Sequence, residues 1–364
     1  MTPSSSVPFS SVHIIGAGLL GASAGLALRD RGVYVSLEDS SPASLSLAID
    51  YGAGLARDVA SPQPDLVIVA TPPDVTAQVV DEALQRFPES LVIDVASVKS
   101  PILEHLRRSQ ADLSRFVPTH PMAGRERGGA VSARSDLFTA RPWVVCEGEP
   151  EPIEKATGLI RALDATPIAM NAEEHDKAVA LISHTPQLVS SLMAARLSGA
   201  SPDTLALAGG GIRDVTRIAA SDPALWTSIV HANAGAIAEV LSALREDLDV
   251  LLDSLSHADQ QGSRKAIADI MGQGNQGVSA LPGKHGLSTH FASLLVVIDD
   301  TPGQLARLLT TLGEWGVNLE DLRLEHSPGA HVGFAELIVA KDVVAGVEEN
   351  LAAEGWRIAG EHTS

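Results

Sequence analysis

The sequence predicts an α/β fold in three parts: an N-terminal doubly wound parallel sheet, an all-α middle part and a small C-terminal α+β domain. Short apolar runs alternate with amphipathic stretches over residues 12–99. Helical spacing then follows with almost no strand signal until about residue 290, where strand patterns return. We expect domain boundaries at 10–170, 171–285 and 290–364.

Four short runs in the N-terminal part are almost continuously apolar, as parallel strands buried on both faces are. They are VHII (12–15), VYVSL (33–37), DLVIVA (65–70) and LVIDVA (91–96), and PWVVCEG (142–148) is a candidate further strand. Amphipathic stretches such as LLGASAGLALRDR (19–31) separate them. This βαβα order predicts a doubly wound sheet.

The middle part has Ala, Leu, Ser and Ile at helical spacing. SDPALW (221–226) begins a helix, with Asp222 as the N-cap and Pro223 at the first helical position, and the pattern runs to about residue 256. Long Ala-rich helices of this kind favour a homodimer, and a monomeric bundle is the alternative. GQGNQGVSALPGKHGLS (272–288) is predicted to be a linker.

The pattern of the C-terminal part predicts the element order β-α-β-β-α. Its strand candidates are SLLVVID (293–299), VNLEDLRLEH (317–326) and HVGFAELIVA (331–340). These segments predict a small α+β domain.

The charge balance limits the possible partners. The chain has 26 basic and 45 acidic residues, a net charge of -19, which argues against nucleic acid or an anionic membrane as partner. The single cysteine, Cys146, excludes a disulfide framework within the chain. With no signal peptide or membrane span in the pattern, we expect a cytoplasmic protein. No His/Asp/Glu cluster has metal-ligand spacing, so no metal is expected.

A glycine-rich turn follows the first predicted strand. The motif GxGxxG is formed by Gly16, Gly18 and Gly21, with Leu19 and Leu20 between the last two glycines, and it opens a helix. Such glycines permit a tight turn, a close backbone approach to a diphosphate and close helix–strand packing. The motif predicts a Rossmann dinucleotide site.

The end of the second predicted strand indicates which dinucleotide binds. Asp39 stands eighteen residues after Gly21, where a carboxylate accepts hydrogen bonds from the ribose diol and repels a 2′-phosphate. We therefore expect NAD rather than NADP. Glu38 should point the other way. Thr71, in the loop ATPP (70–73), either contacts the cofactor or simply ends a strand.

A histidine follows the next apolar run, in FVPTHPMAG (116–124). DVASVK (94–99) and this segment should both end at the carboxyl edge of the sheet, where ligands of such sheets bind. Pro121 favours an extended backbone at His120 and so fixes the direction of the imidazole. We expect His120 to act as a general base.

Five motifs, in this order and spacing, resemble the prephenate/arogenate dehydrogenase family over roughly residues 10–285. They are GAGLLGAS, DVASVK, THPMAG, SHTPQL and GGIRDVTRIAASDPALW. The C-terminal segments DDTPGQLA (299–306) and WGVNLEDL (315–322) resemble an ACT domain, an amino-acid-binding regulatory module. The resemblance implies an NAD-dependent enzyme and a domain that either senses an effector such as tyrosine or aids dimerisation.

The family reaction oxidises and decarboxylates prephenate to 4-hydroxyphenylpyruvate. The resemblance implies that His120 accepts the ring-hydroxyl proton and that Ser97 hydrogen-bonds the hydroxyl or His120. Capping a helix is the alternative role for Ser97. Arg217 matches the family's carboxylate-binding arginine, and a salt bridge with Asp214 is its alternative role. His184 would contact the substrate side chain or be a satisfied core histidine.

Four further charged residues are candidates for this site. In a helical run, Arg213 would share a face with Arg217, and Asp214 would orient Arg217 or gate the site together with Glu126, which is otherwise an ordinary loop charge. Lys99 would serve the site or be solvated. Relatives often carry a leucine and a histidine where this chain has Thr185 and Gln187. The choice between prephenate and arogenate therefore stays open, and a non-catalytic amino-acid-sensing protein is the distant alternative.

Overall fold

The computed structural model describes residues 7–125, 128–281, 291–326 and 332–362. These residues form two compact units. The first comprises the described residues up to Ser201 together with Val215–Leu244, and the second comprises Pro202–Asp214 together with the described residues from Arg245 onward. The domain boundaries predicted from the sequence stay a prediction, because this division groups segments that are distant along the chain.

The first unit is built on an eight-stranded sheet in the order β3-β2-β1-β4-β5-β6-β7-β8. The strands are β1 (Ser11–Ile15), β2 (Tyr34–Glu38), β3 (Leu55–Ala56), β4 (Leu66–Val69), β5 (Leu91–Asp94), β6 (Phe116–Pro121), β7 (Pro142–Val145) and β8 (Thr166–Ala169). β1 to β6 are parallel, which confirms the predicted doubly wound sheet. β7 is antiparallel to β6, a difference from the prediction. The described part of their connection contains no crossover helix, which a parallel pair would require.

Hydrophobic cores lie on both faces of this sheet, which helices of the first unit cover. In chain order the helices of both units are α1 (Leu19–Arg29), α2 (Pro42–Asp50), α3 (Pro73–Arg86), α4 (Ser100–Arg108), α5 (Pro150–Ala162), α6 (Ala172–Val179), α7 (Thr185–Ala195), α8 (Pro202–Ala206), α9 (Gly210–Thr216), α10 (Pro223–Ala232), α11 (Ala234–Ser256), α12 (Ser263–Ser279), α13 (Gln304–Glu314) and α14 (Lys341–Ala353). The helical middle part is thereby confirmed.

Strand β4 shows why the strand sequences are apolar without alternation. All four of its residues are buried. Leu66 and Ile68 belong to one hydrophobic core, and Val67 and Val69 belong to a second core on the opposite face. Because successive side chains of a strand point to opposite faces, a sheet covered on both sides requires apolar residues at every position.

Two predictions about the middle part have different outcomes. The Asp222 carboxylate accepts a hydrogen bond of 2.9 Å from the backbone N–H of Ala224, as expected of the N-cap of α10. The predicted linker is partly wrong, because α12 continues through Ser279. The part of the predicted linker from residue 282 onward lies outside the described residues.

By length and composition alone, the helical stretch Ala172–Gly199 could cross a membrane, which is weak support for a span.

The C-terminal part of the second unit contains a four-stranded antiparallel sheet in the order β10-β11-β9-β12. Its strands are β9 (Phe291–Asp299), β10 (Asp321–His326), β11 (Val332–Ala340) and β12 (Arg357–His362). Helices α13 and α14 complete a β-α-β-β-α-β order, and Leu308, Leu312 and Leu351 pack into the core of the sheet. The predicted α+β domain is confirmed, with β12 as an added strand.

Candidate active site

A cavity of about 1350 Å³ opens in the first unit at the carboxyl edge of the sheet. The loops after β1, β4 and β5 and the ends of β2 and β6 form its wall, together with Ser183, His184 and part of residues 221–229. Ligands of doubly wound sheets bind outside the carboxyl ends of the strands. The cavity is larger than an ordinary small-ligand pocket, which suits a dinucleotide together with a second molecule.

The three motif glycines have three different roles. Gly16 has a φ of +105°, and a Cβ there would stand 2.4 Å from the carbonyl oxygen of Ala70. A Cβ on Gly21 would stand 1.9 Å from the carbonyl oxygen of Gly16. Gly18, the N-cap of α1, lines the cavity and has no atom within 4 Å of an added Cβ. Gly16 and Gly21 therefore allow close packing, and Gly18 leaves the helix N-terminus open to a diphosphate.

Leu19, Leu20 and Thr71 also line the cavity, whereas Gly21 lies behind the described wall. The Thr71 hydroxyl oxygen lies 3.1 Å from that of Thr76, in the first turn of α3. Thr71 is therefore both the end of the turn after β4 and part of the wall, so its two predicted roles do not exclude each other.

Two carboxylates at the end of β2 line the cavity and have different partners. Asp39 accepts hydrogen bonds from the backbone N–H groups of Ala17, at 2.7 Å, and Ser41, at 2.8 Å. Glu38 forms an ion pair with Arg86, at 2.8 Å. Asp39 is thereby fixed against the glycine-rich turn, where the ribose of a bound dinucleotide would lie.

His120 lies in β6 with an extended backbone, is buried, and lines the cavity. Its Nδ1 atom lies 2.8 Å from Nε2 of His175, and Nδ1 of His175 lies 2.8 Å from the Asp176 carboxylate. That carboxylate also accepts hydrogen bonds from the backbone N–H groups of Lys99, at 2.9 Å, and Ser100, at 2.8 Å. We refer to His120, His175 and Asp176 as the histidine relay.

The hydrogen bonds of the relay favour one tautomer of a neutral His120. Hydrogen bonds from His175 and Ser100 outweigh burial and keep the pKa of Asp176 below its usual value, so Asp176 is an acceptor. When both imidazoles are neutral, His175 donates from Nδ1 to Asp176 and accepts at Nε2 from Nδ1 of His120. In this arrangement the lone pair of His120 is on Nε2. Burial, with smaller contributions from His175, Lys99 and His184, lowers the pKa of His120 well below its usual value and keeps this base neutral.

Buried polar contacts hold the backbone next to His120. The Thr119 hydroxyl donates to the carbonyl of Asp94 at 2.6 Å and accepts from the Trp143 indole at 2.9 Å. Lys99 Nζ donates to the carbonyl of Thr119 at 2.6 Å and forms an ion pair with Asp94. The predicted alternative of a solvated Lys99 is wrong, because its side chain is fully buried in this ion pair.

Ser97 lines the cavity after β5. Helix α4 begins at Ser100, and Asp176 accepts from the backbone N–H groups at its start. Ser97 is therefore not the cap of this helix. Ser97 lines the same cavity as His120, and its contact with the hydroxyl stays a prediction.

A π-helical turn brings His184 to the wall. Residues Ala180–His184 form this turn before α7 begins, and Pro186 has no N–H group to donate back to Ile182. His184 is buried, its Nδ1 lies 3.1 Å from the Asn233 side-chain nitrogen, and its ring meets Trp226 edge-on at 6.1 Å. Burial lowers the pKa of His184 to about 4, so the ring is neutral.

The predicted anion-binding residues are not all on this wall. Arg217 is exposed, begins a 3-10 turn directly after α9, and is not among the described lining residues. Arg213 and Asp214 are exposed on α9 and belong to the second unit. The run is helical as assumed, but α9 ends before Arg217, so no single α-helical face carries both arginines. Glu126 lies outside the described residues.

His175 and Asp176 were missed at the sequence level. The signal was the adjacent His-Asp pair in AEEHDKAV, because an aspartate commonly hydrogen-bonds and orients a histidine that acts as a general base. Nothing in the spacing indicated that this pair lies next to His120, which is 55 residues away.

The doubly wound sheet, the glycine-rich turn and a neutral buried histidine on one cavity wall define a dinucleotide-dependent dehydrogenase. Two family models match the chain: "Prephenate dehydrogenase, nucleotide-binding domain" over residues 24–168 and "Prephenate dehydrogenase, dimerization domain" over residues 171–272. The chain belongs to the prephenate dehydrogenase family and is an NAD-dependent oxidoreductase.

Individual relatives agree with this assignment. The chain is 35% identical to the probable prephenate dehydrogenase NovF of Streptomyces niveus, over 86% of this chain and 90% of the relative. A solved arogenate dehydrogenase of Synechocystis is 26% identical, with a TM-score of 0.60 over 73% of this chain and 99% of that chain. A prephenate dehydrogenase of A. aeolicus, solved with hydroxyphenyl propionate and NAD+, has the same fold, with 23% identity and a TM-score of 0.64 over 73% and 98% of the two chains.

Proposed function

We propose that the chain catalyses the oxidative decarboxylation of prephenate to 4-hydroxyphenylpyruvate in tyrosine biosynthesis. The observation that carries this proposal is the histidine relay, which presents a neutral imidazole to the cavity that also contains the glycine-rich turn. When bound, NAD supplies the hydride acceptor. The reaction also needs a base for the hydroxyl proton at the same carbon, and His120 meets that need.

The residues of the wall then have distinct roles. Nε2 of His120 accepts the hydroxyl proton, while Nδ1–H remains bonded to His175. As His120 becomes cationic, Asp176 stabilises its charge through His175. This electrostatic stabilisation is larger in a buried site than in water. Ser97 orients the hydroxyl, and loss of the ring carboxylate as carbon dioxide makes the ring aromatic.

The remaining assignments are part of the same proposal. His184 and Trp226 contact the substrate side chain, Asp39 binds the ribose diol, and Arg217 binds a substrate carboxylate, with Arg213, Asp214 and Glu126 in supporting roles. Family membership with a matching dimerization domain supports a homodimer. We further propose a cytoplasmic location and an ACT-like C-terminal domain that binds tyrosine, both of which rest on the sequence patterns.

A steady-state assay of the purified protein with NAD and NADP, each against prephenate and arogenate, tests the proposed function. We expect turnover with NAD and prephenate. A preference for arogenate would transfer the same chemistry to the sister activity, and Thr185 and Gln187, both buried near His184, would be the first residues to exchange. An absence of turnover with all four pairs would contradict the proposal.

A further inference from the structure

The cavity wall has few cations for a pocket that would accept a dianion. Its described acidic residues are Glu38, Asp39, Asp74, Glu82 and Asp222. Its described arginines are Arg86 and Arg125, and no described lysine lines it. The chain as a whole is also acidic, with a net charge of -19. An anionic substrate therefore depends on local cations to overcome this field.

Arg86 is already neutralised. Its Nη1 atom lies 2.8 Å and 3.0 Å from the two carboxylate oxygens of Glu38. Both residues lie at the end of the cavity near Asp39 and thus on the adenosine side of a bound dinucleotide. Arg86 is therefore unsuited to bind the substrate.

Arg125 is in a different situation. It follows His120 by five residues, in the loop after β6, and its Nη1 atom donates to the carbonyl oxygen of Ser132 at 3.2 Å. Within the described residues, no carboxylate is within ion-pair distance of Arg125. A hydrogen bond of 2.7 Å from Arg134 is the largest cause of the lowered pKa of Asp136. The charge of Arg125 lowers this pKa by a smaller amount. A guanidinium has five N–H donors, so the bond to Ser132 orients Arg125 and leaves donors for a ligand.

We propose that Arg125 binds a carboxylate of the substrate, a role that rests on the proposed function. Prephenate carries two carboxylates, and a planar guanidinium binds a carboxylate through two parallel hydrogen bonds. Arg125 lines the same cavity as His120 and so supplies a cation that complements Arg217.

The test compares ligands with and without a carboxylate. Arg125→Ala and Arg125→Lys are compared with Arg134→Ala, an exposed arginine of the same segment that pairs with Asp136 and does not line the cavity. For each variant, the KM values of prephenate and NAD are measured. Calorimetry on the NAD-saturated enzyme then gives the Kd of 3-(4-hydroxyphenyl)propionate, which has a carboxylate, and of 4-ethylphenol, which lacks one.

With Arg125→Ala we expect the KM of prephenate and the Kd of the propionate to rise about tenfold or more, since a hydrogen bond to a charged group is lost. The Kd of 4-ethylphenol and the KM of NAD should stay within about twofold, Arg125→Lys should recover part of the loss, and Arg134→Ala should match the wild type.

Two results would overturn the role of Arg125. An equal loss of affinity for both phenols would show that Arg125 does not act by binding the carboxylate. A higher KM for NAD with an unchanged prephenate KM would place Arg125 on the cofactor diphosphate. If the wild type turns over neither prephenate nor arogenate, the proposed function fails, but the contrast between the two phenols still decides what Arg125 binds. A wild type that binds neither phenol contradicts both proposals.

Discussion

The cofactor end and the proton-accepting end of one cavity are built by different means. At the cofactor end, the contacts that matter are between backbone atoms, such as the Gly16 and Ala70 segments, and the residues involved are small. At the other end, side chains 55 residues apart in sequence meet within hydrogen-bond distance. Steric requirements of the backbone therefore set the first region, and packing of two distant segments sets the second.

The two ends should consequently fail in different ways when they are changed. A substitution at the glycine-rich turn acts on folding or on cofactor affinity. A substitution in the histidine relay acts on the rate of the chemical step, because the relay determines the state of the base.

The largest effect is expected from His120→Asn. Asparagine retains a polar side chain but cannot accept the hydroxyl proton, so kcat should fall by about 100-fold to 10,000-fold. The Kd of NAD should be unchanged, because the glycine-rich turn is not altered. Steady-state kinetics and calorimetric NAD binding check this pair of results. A kcat near that of the wild type would rule out His120 as the base.

At the cofactor end, Gly21→Ala and Gly18→Ala form a matched pair. The Gly21 variant places a Cβ where the Gly16 carbonyl lies at 1.9 Å and should lose about 3 kcal/mol of unfolding free energy. The Gly18 variant has free space around its Cβ and should fold normally but bind NAD more weakly. Urea unfolding and NAD titration of both proteins separate the two effects, and equal stability of the pair would contradict the packing role of Gly21.

The positioning role of His175 is tested by His175→Leu and His175→Gln. Leucine cannot accept from His120, so kcat should fall about 10-fold to 100-fold with little change in the KM of prephenate. The acid limb of kcat/KM is expected below pH 6.5 in the wild type, because burial lowers the pKa of His120. In the leucine variant it should move to higher pH, because His175 is one of the groups that lower this pKa. Glutamine can both accept and donate and should recover part of kcat. A purely structural His175 would change stability and leave the pH profile in place.

The smallest effect concerns stability at acid pH. Burial lowers the pKa of His184 to about 4 from a usual value of 6.5, so the unfolded chain takes up the proton first as the pH falls. The neutral ring therefore contributes fully to stability above pH 6.5, and that contribution is lost towards pH 4. Between pH 7 and pH 5 the loss is about 2 kcal/mol. Urea unfolding of the wild type and His184→Gln at both pH values measures it, and parallel losses in the two proteins would contradict this origin.

Sequence reasoning succeeded where a residue type has a local consequence. Asp222 and Pro223 begin α10, the apolar runs are strands, and Pro121 gives His120 an extended backbone. It failed where the consequence depends on a distant partner. The solvated alternative for Lys99 was wrong, because Asp94 and Thr119 hold its side chain in the interior, and such burial of a lysine is rare unless it is paired.

The sequence by itself determined the doubly wound sheet, the glycine-rich turn and the placement of His120 at the sheet edge. Each of these follows from local periodicity or from the limits of φ and ψ. Only the tertiary structure decided that His175 and Asp176 orient His120, and that α9 ends before Arg217. Hydrogen bonds between distant side chains depend on how the segments pack, and no spacing along the chain encodes that packing directly.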